Sequence, residues 1–269
     1  MNDLPAVEIY SIGTELLNGQ IQDTNAYWMA QQIAALGGYV RRITILDDEI
    51  DEIVSTLKEA CARQTRIIIT TGGLGPTPDD LTVEAVARIK AVEVEVNESL
   101  IEHFMASRNI ARREDLSAGL VKMATCPAGS QVHRNPAGVA PCVESQIGTT
   151  TLFNLPGPPR EVEALFKQSL EAPIARLYSG TRLSLRAVVN LPESACGPIL
   201  HSVMQLHPNT YLKAFVALSE KTSSGQRLPV DIVAWGETRQ EAQDLLDSSF
   251  EEFRQQAAEK GSEVEIIEA

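Results

Sequence analysis

Up to residue 80, the chain alternates between short β-branched apolar runs and amphipathic stretches. Val7–Ile12, Tyr39–Leu46 and Arg66–Thr70 are runs of the first kind. Over 26–33 and 50–57, apolar residues recur three or four positions apart, which predicts two helices. Strands that alternate with helices of about 10 to 15 residues are typical of βαβ units. The pattern therefore predicts an α/β fold, namely a three-layer α/β/α domain around a mostly parallel sheet.

The same patterns continue beyond residue 80 and predict a second, smaller domain. The first domain should continue with helices over 83–90, 100–107 and 116–123, an edge strand over 92–96, a hairpin over 142–155 and a helix from Arg160. Ser179-Gly180 is the predicted boundary, which gives domains over 1–178 and 181–269. The second is expected to be a small α+β domain. It should begin with a strand over 183–190 and a helix over 195–205, followed by strands over 211–218 and 230–235 that a turn at 223–226 joins. A helix with a Thr238–Glu241 capping box and a strand over 264–267 should complete it.

Composition and charge narrow the classes of protein that fit. The chain has 269 residues and a net charge of −13, which disfavours binding to nucleic acid or to anionic lipid. Four scattered cysteines lack a CxxC pair, which argues against a zinc ribbon or a disulfide framework. The N-terminus lacks a secretion signal, and no apolar run approaches the roughly 20 residues of a membrane span. We therefore expect a cytoplasmic protein without nucleic-acid or membrane partners.

The strongest chemical signal is the glycine-rich loop 71–80, which directly follows the third predicted strand and reads TGGLGPTPDD. Gly72, Gly73 and Gly75 can adopt positive φ and allow a ligand to approach the backbone. Thr82 is predicted to cap the next helix, whose free N–H groups and dipole favour an anion. No Walker, GxGxxG, GxSxG or HExxH pattern is present. The loop therefore predicts a phosphate site of another kind.

Acidic residues follow the strands that should end beside this loop. Asp79 and Asp80 belong to the loop, and carboxylates beside a bound phosphate make chemical sense mainly when a divalent cation lies between them. The carboxyl ends of parallel strands share one edge of a sheet. Glu15 after the first strand and Asp48 after the second are therefore candidates for the same cation site. The alternative for each is a solvent-exposed or helix-capping acid, and Asp23-Thr24-Asn25 is either a cap or a ligand contact.

Five separated motifs resemble those of the competence/damage-inducible CinA family. They are GTELLxG at 13–19, DTN at 23–25, TGGLGPTxDDxT at 71–82, NPxGxAP at 135–141 and LPGxPxE at 155–161. The resemblance covers about residues 6–178 and implies the molybdopterin-binding fold shared with the MogA and gephyrin type of molybdopterin adenylyltransferase. The remainder resembles the small KH-like or ferredoxin-like domain of CinA proteins. The amidohydrolase domain that often follows in this family is not expected here.

The resemblance also implies which residues form the site. Asp80, Asp48 and Glu15 are the expected catalytic and metal-binding acids. The expected ligand-binding residues are Gly13, Thr14, Asn25, Thr71, Gly72, Gly73, Gly75, Asp79, Gly138, Pro156, Gly157 and Glu161. Two departures alter the expected pocket wall. Cys142 stands where the family has glycine, and Pro158 stands where the family's LPGVP loop has valine.

Motifs and resemblance together lead to one expected function and two alternatives. The expected function is metal-dependent hydrolysis of the pyrophosphate bond in a nucleotide such as ADP-ribose, with Mg²⁺ or a similar hard cation. The alternatives are adenylyl transfer to molybdopterin, and binding of a nucleotide or pterin phosphate without catalysis. The resemblance further implies a homodimer.

Overall fold

The computed structural model describes residues 5–178, 181–222 and 225–268. They form two compact units, the first ending at Leu177 and the second beginning at Tyr178, which we call the N-terminal unit and the C-terminal unit. The predicted boundary at Ser179-Gly180 lies outside the described residues. None of the helices in the described ranges combines the length and the apolar character needed to cross a bilayer.

The N-terminal unit alternates strands and helices, as the hydrophobic pattern predicts. Its strands are β1 (Val7–Ile12), β2 (Val40–Leu46), β3 (Ile67–Thr71), β4 (Val94–Val96), β5 (Thr125–Pro127), β6 (Gln131–His133), β7 (Cys142–Ile147) and β8 (Thr150–Leu155). Its helices are α1 (Thr14–Leu17), α2 (Asn25–Ala35), α3 (Ile50–Ala62), α4 (Thr82–Lys90), α5 (Glu98–Arg108), α6 (Ala118–Met123), α7 (Pro159–Leu165) and α8 (Glu171–Leu177).

The central sheet has the order β2-β1-β3-β8-β7-β6. The first four strands in this order are parallel. At the end of the sheet, β7 runs antiparallel to β8, and β6 runs antiparallel to β7. On one face, Tyr10, Ile12 and Ile68 pack against buried residues of α3 and α4. The alternate residues Ile9 and Ile69 point to the opposite face and are also fully buried. Helices cover both faces, which explains why these strands are continuous apolar runs. The predicted fold class is confirmed.

Features of both units differ from the expectations. In the C-terminal unit, the strand expected over 211–218 ends at Ala214, and Val216–Leu218 form a 3₁₀ turn. The other differences lie in the N-terminal unit. The edge strand expected over 92–96 is β4, which pairs with β5 in a separate two-stranded sheet. The strands β5 and β6 were not predicted, because three residues leave no periodic pattern. The helix expected from Arg160 contains a π-helical turn, Phe166–Leu170, between α7 and α8.

The C-terminal unit is an antiparallel sheet with two long helices, as expected for a small α+β domain. Its elements are β9 (Thr181–Val189), α9 (Glu193–Leu206), β10 (Thr210–Ala214), β11 (Glu220–Thr222), β12 (Gly225–Gly236), α10 (Arg239–Glu259) and β13 (Val264–Glu268). The sheet order is β10-β12-β9-β13, with β11 paired to β12. Half of the predicted capping box is present, since Glu241 N–H donates to Thr238 Oγ1 at 3.2 Å. The Glu241 side chain accepts from Glu237 N at 2.9 Å rather than from Thr238 N. Ser223 and Ser224 of the predicted turn lie outside the described residues.

Candidate functional site

A cleft of about 570 Å³ opens where β1, β3 and β8 end. The turns after these strands line it, and ligands bind at this edge in parallel α/β sheets. Thr14 and Gly138 do not line it, but each contacts a lining carboxylate. The structure thus brings the predicted site residues together, and the role of each stays a prediction. Those that line the cleft are Gly13, Glu15, Asn25, Asp48, Thr71, Gly72, Gly73, Gly75, Asp79, Asp80, Pro156, Gly157 and Glu161.

The glycine loop packs more closely on its neighbours than a side chain would permit. A Cβ on Gly72, which has φ +96°, would lie 2.1 Å from the carbonyl oxygen of Ile12. A Cβ on Gly73, which has φ +66°, would lie 2.1 Å from Thr82 Oγ1. Both the positive φ and the close approach require glycine at these positions.

Three backbone N–H groups of this loop remain for an anion. The N–H of Gly72 donates to the Leu155 carbonyl at 3.0 Å, so it is not available to a phosphate. No residue in the described ranges accepts a hydrogen bond from the N–H of Gly73, Leu74 or Gly75. Because all three residues line the cleft, their N–H groups are the donors that a bound phosphate would use.

The predicted capping role of Thr82 is wrong. Thr82 is the first residue of α4, Leu81 occupies the N-cap position, and no side chain caps this helix. The Thr82 hydroxyl instead donates to the Gly72 carbonyl at 2.9 Å, and its N–H donates to the Gly73 carbonyl at 3.1 Å. A capping side chain accepts a hydrogen bond, whereas this one donates because the loop folds back over the helix start. Thr82 therefore ties the glycine loop to α4.

Asp80 is held rigidly beside the glycine loop. Its Oδ2 accepts hydrogen bonds from Thr77 N at 2.7 Å and from Thr77 Oγ1 at 2.6 Å. Gly75 leaves room for this carboxylate, since a Cβ there would lie 2.6 Å from Asp80 Oδ2. The Thr77 hydroxyl also donates to Asp79, and this bond lowers the pKa of the Asp79 carboxyl. The Asp79 carboxylate therefore favours its charged form.

Asp48 and Glu15 are positioned by the turn after β1. Asp48 Oδ2 accepts from Thr14 N at 2.8 Å and from Thr14 Oγ1 at 3.0 Å. The Thr14 hydroxyl also donates to Asp47, so this threonine joins the turns after β1 and β2. The Glu15 carboxylate lies against Gly13, where a Cβ would be 2.7 Å from Glu15 Oε1. Thr14 therefore positions a lining acid and does not line the cleft itself.

The three predicted metal ligands do not form a ready-made cluster. Within the described part of the chain, no group of three or more His, Cys, Asp or Glu side chains is placed to hold a metal ion. The Oδ1 atoms of Asp48 and Asp80, however, accept no hydrogen bond from any described residue. Mg²⁺ is usually held by one or two carboxylates together with substrate phosphates. These oxygen donors therefore fit a hard cation that a phosphate shares, and the metal stays a prediction.

Sequence comparison identifies the family of this unit. A family model described as "Probable molybdopterin binding domain" matches residues 8–176. The chain belongs to this family.

Relatives extend the match beyond that domain. A protein from Pyrobaculum arsenaticum is 37% identical over 240 residues, which cover 88% of this chain and 89% of the relative. A protein from Aeropyrum pernix is 31% identical over 269 residues, which cover 98% of each chain. Among solved structures, the protein CinA "with unknown function" from Thermoplasma acidophilum aligns with TM-score 0.59 and 31% identity, over 64% of this chain and 98% of that chain. The N-terminal unit is therefore CinA-like, as the motifs predict.

The CinA-like cleft is acidic. Among the described residues that line it, none is Lys, Arg or His. Lys122 lies near the loop, but its Nζ donates to the Thr77 carbonyl, and it lines a small neighbouring pocket instead. Backbone N–H groups are therefore the protein donors that this lining offers to an anion. The lining carboxylates are Glu15, Asp23, Asp48, Asp79, Asp80 and Glu161.

Sequence reasoning missed several contacts of the cleft. Asp23 Oδ1 accepts from Ala26 N at 3.0 Å in the first turn of α2, which agrees with the capping alternative for 23–25. Its bond from Ser11 Oγ at 2.6 Å, which braces the wall, was not predicted. Asn25 donates its Nδ2 to the Gly157 carbonyl at 2.7 Å, so this predicted ligand contact holds the 156–159 loop. The DTN motif was the available signal, but a motif does not show which partner each side chain takes.

Two further differences from the family pattern have separate consequences. Cys142 is fully buried in β7 and is absent from the cleft lining. Burial raises the pKa of its thiol, so the side chain remains a neutral, apolar group. Pro158 does line the cleft. The Pro158 departure therefore alters the surface of the cleft, whereas the Cys142 departure acts only through packing.

Gly72→Ala should destabilise the N-terminal unit by more than about 2 kcal/mol, because it adds a backbone overlap to an unfavourable φ. Gly129→Ala is the matched control: φ is +71° there, but nothing lies within 4 Å of the added Cβ. That variant should lose only about 1 to 2 kcal/mol. Chemical denaturation measures both, and equal losses would show that the approach to Ile12 is not restrictive.

Proposed function

We propose that the CinA-like cleft binds a nucleotide through its pyrophosphate together with a divalent cation, and hydrolyses the pyrophosphate bond. The observation that carries the proposal is that the glycine loop and two acidic side chains line the same cleft. The N–H groups of Gly73, Leu74 and Gly75 belong to the same cleft as Asp48 and Asp80. Candidate donors for a phosphate and carboxylates for a hard cation therefore line one cleft, and the described lining contains no basic side chain.

Each group has a distinct part in the proposed reaction. The loop N–H groups bind a phosphate and orient the phosphorus, while Asp48 and Asp80 place the cation beside it. The cation, when bound, offsets the charge of the pyrophosphate. A water oxygen forms a new bond to phosphorus as the bridging P–O bond breaks. Glu15, which also lines the cleft, is the residue to which we assign the proton from water. The products are a nucleoside monophosphate and a sugar phosphate.

A second function is favoured by the description of the matching family, which names molybdopterin. The same N–H groups and carboxylates would serve adenylyl transfer to a pterin phosphate, since that reaction also involves a phosphoanhydride and a cation. The product distinguishes the two enzymes, because transfer yields an adenylylated pterin. Tight binding without any product would indicate a binding protein, which is the third candidate.

A product assay tests the proposal. ADP-ribose, FAD and other dinucleotides would be incubated with the full chain and Mg²⁺, Mn²⁺ or Co²⁺, and the products separated by chromatography. We expect AMP and a sugar phosphate from ADP-ribose, loss of turnover in EDTA, and recovery when metal is restored. Turnover that persists in EDTA would contradict the role of the cation. No product from any substrate, with the protein folded, would shift support to the pterin or binding functions.

A further inference from the structure

Two loops contribute to the wall of the cleft, and a different asparagine side chain holds each of them. The loop 156–159 is held by Asn25, as described above. The loop 135–141 contributes Val139 and Ala140 to the lining and contains no helix or strand. Among the described residues, none of its backbone groups takes part in a backbone–backbone hydrogen bond of the loop or turn type. Its conformation must therefore depend on side-chain bonds.

Asn135 supplies those bonds. Its Nδ2 donates to the Ala140 carbonyl at 2.8 Å and to Glu161 Oε2 at 2.6 Å. Its Oδ1 accepts from the Ala137 N–H at 2.9 Å. The amide thus makes three of its four possible hydrogen bonds, two as donor and one as acceptor. Two bonds fold the loop on itself, and the third anchors it to α7.

The surroundings of Glu161 allow its carboxylate to accept the hydrogen bond from Asn135. It lies in the first turn of α7, directly after the 156–159 loop, so it joins the two loops of the wall. A Cβ on Gly138 would lie 2.1 Å from the Glu161 carboxyl carbon, so the glycine admits the carboxylate against the loop backbone. Burial raises the pKa of this carboxyl, and the bond from Asn135 opposes that effect.

We propose that Asn135 is a positioning residue for the ligand of this cleft, which it serves by holding the 135–141 loop against Glu161. In this proposal Glu161 holds the wall of the cleft in place, whereas the family resemblance implies that it contacts the ligand. The inference rests on the proposed function for the class of ligand. The role of Asn135 in ordering the loop is independent of the proposed function, because the order of the loop can be measured without ligand.

The first test compares Asn135→Ala with the wild type in two measurements. Residue-resolved hydrogen–deuterium exchange without ligand should speed up at Ala137, because its N–H loses the bond to Asn135 Oδ1. Titration with ADP-ribose and Mg²⁺ should show about tenfold weaker binding, the effect of losing one hydrogen bond to a charged group. In turnover, KM should rise by a similar factor while kcat changes less than about twofold, because the loop N–H groups and Asp80 are untouched.

Two variants separate positioning from a general loss of stability and from a direct ligand contact. Asn97→Ala removes the cap of α5, where Asn97 Oδ1 accepts from Leu100 N at 3.0 Å, and should leave ADP-ribose affinity unchanged. Glu161→Gln keeps an acceptor for Asn135 but removes the charge, and should stay within about threefold of wild-type affinity. If Glu161→Gln weakens binding as much as Asn135→Ala does, the charge acts on the ligand and the proposal is overturned.

The conservative variant Asn135→Asp gives a signature that a purely structural role would not. It places two carboxylates at hydrogen-bond distance, so binding should be weak at pH 7 and recover toward wild type at pH 5, where the pair can share one proton. Unchanged exchange at Ala137 in Asn135→Ala would overturn the proposal. Faster exchange there, with no binding of ADP-ribose by the wild type, would support the role in the wall and contradict the proposed function instead.

Discussion

Replacing Asp80 by asparagine should lower kcat for pyrophosphate hydrolysis by roughly 10²- to 10³-fold, which is the usual effect of removing one charge-stabilising group. Asp80 Oδ1 is free of hydrogen bonds from the described residues, while Oδ2 is held by Thr77. The substitution preserves shape and an acceptor for Thr77, but it removes the negative charge that would hold the cation. The loss should therefore fall on turnover and on affinity for the metal.

The fold of this variant should remain intact, because Asp80 is only half-buried and takes part in none of the ion pairs found among the described residues. Circular dichroism and the melting temperature would check this. Asp115→Asn is a suitable control, since it neutralises an aspartate of the same unit that pairs with Arg112 at 2.7 Å. We expect wild-type turnover for that control. Wild-type turnover in Asp80→Asn as well would remove Asp80 from the mechanism.

Glu8→Gln should be the most destabilising single substitution tested, at about 3 kcal/mol. Glu8 lies fully buried near the start of β1, at the opposite end of that strand from the cleft. Burial alone would raise its pKa, but hydrogen bonds from Arg63, Tyr10, Arg41 and Thr65 outweigh burial and lower it from 4.5 to about 2. The shift corresponds to about 3 kcal/mol of stability, or roughly 6 to 12 °C in melting temperature for a unit of this size.

The pH dependence of this effect has a definite sign. Because the pKa of Glu8 is lower in the folded chain, its contribution is fully present above about pH 4.5 and is lost as the pH falls toward 2. The gap in unfolding free energy between the wild type and Glu8→Gln should therefore be widest at pH 6 to 7 and narrow by pH 3. Urea denaturation at several pH values would measure this gap. A gap that stays constant with pH would contradict the account.

Glu59→Gln is the matched control for Glu8, because Glu59 also pairs with Arg63, at 3.6 Å, but its side chain is 72% exposed. An exposed pair of this kind contributes about 0 to 1 kcal/mol. Equal losses in the two variants would mean that the buried network around Glu8 is not the source of its stability. Turnover at a temperature where both variants are folded should match the wild type, since neither residue lines the cleft.

The parallel core and the edge that carries the cleft could be predicted because they depend on local signals. A β-branched run, a glycine turn and an amphipathic helix each reflect residues close in sequence, and the topology of parallel strands then places their ends together. This is why Gly73 and Asp80 could be expected beside Asp48, although β3 and β2 are separated in the sheet by β1.

Partners drawn from distant elements could not be predicted. Thr82 has the residue type and spacing of a cap, but the direction of its hydrogen bond depends on how the loop folds over α4. Glu8 looks like one acid in an apolar strand, and the two arginines that neutralise it come from β2 and from the end of α3. Asn135 lies in a recognisable motif, yet its bond to Glu161 exists only because β7 and β8 bring their flanking loops together.

A crystal structure of the full chain with Mn²⁺ and the non-hydrolysable α,β-methylene ADP would test the central claim most directly. We predict an anomalous manganese signal at the carboxylates of Asp48 and Asp80, with a phosphate oxygen on the N–H groups of Gly73, Leu74 and Gly75. A nucleotide bound away from the glycine loop, or bound there without the cation, would contradict the proposed site.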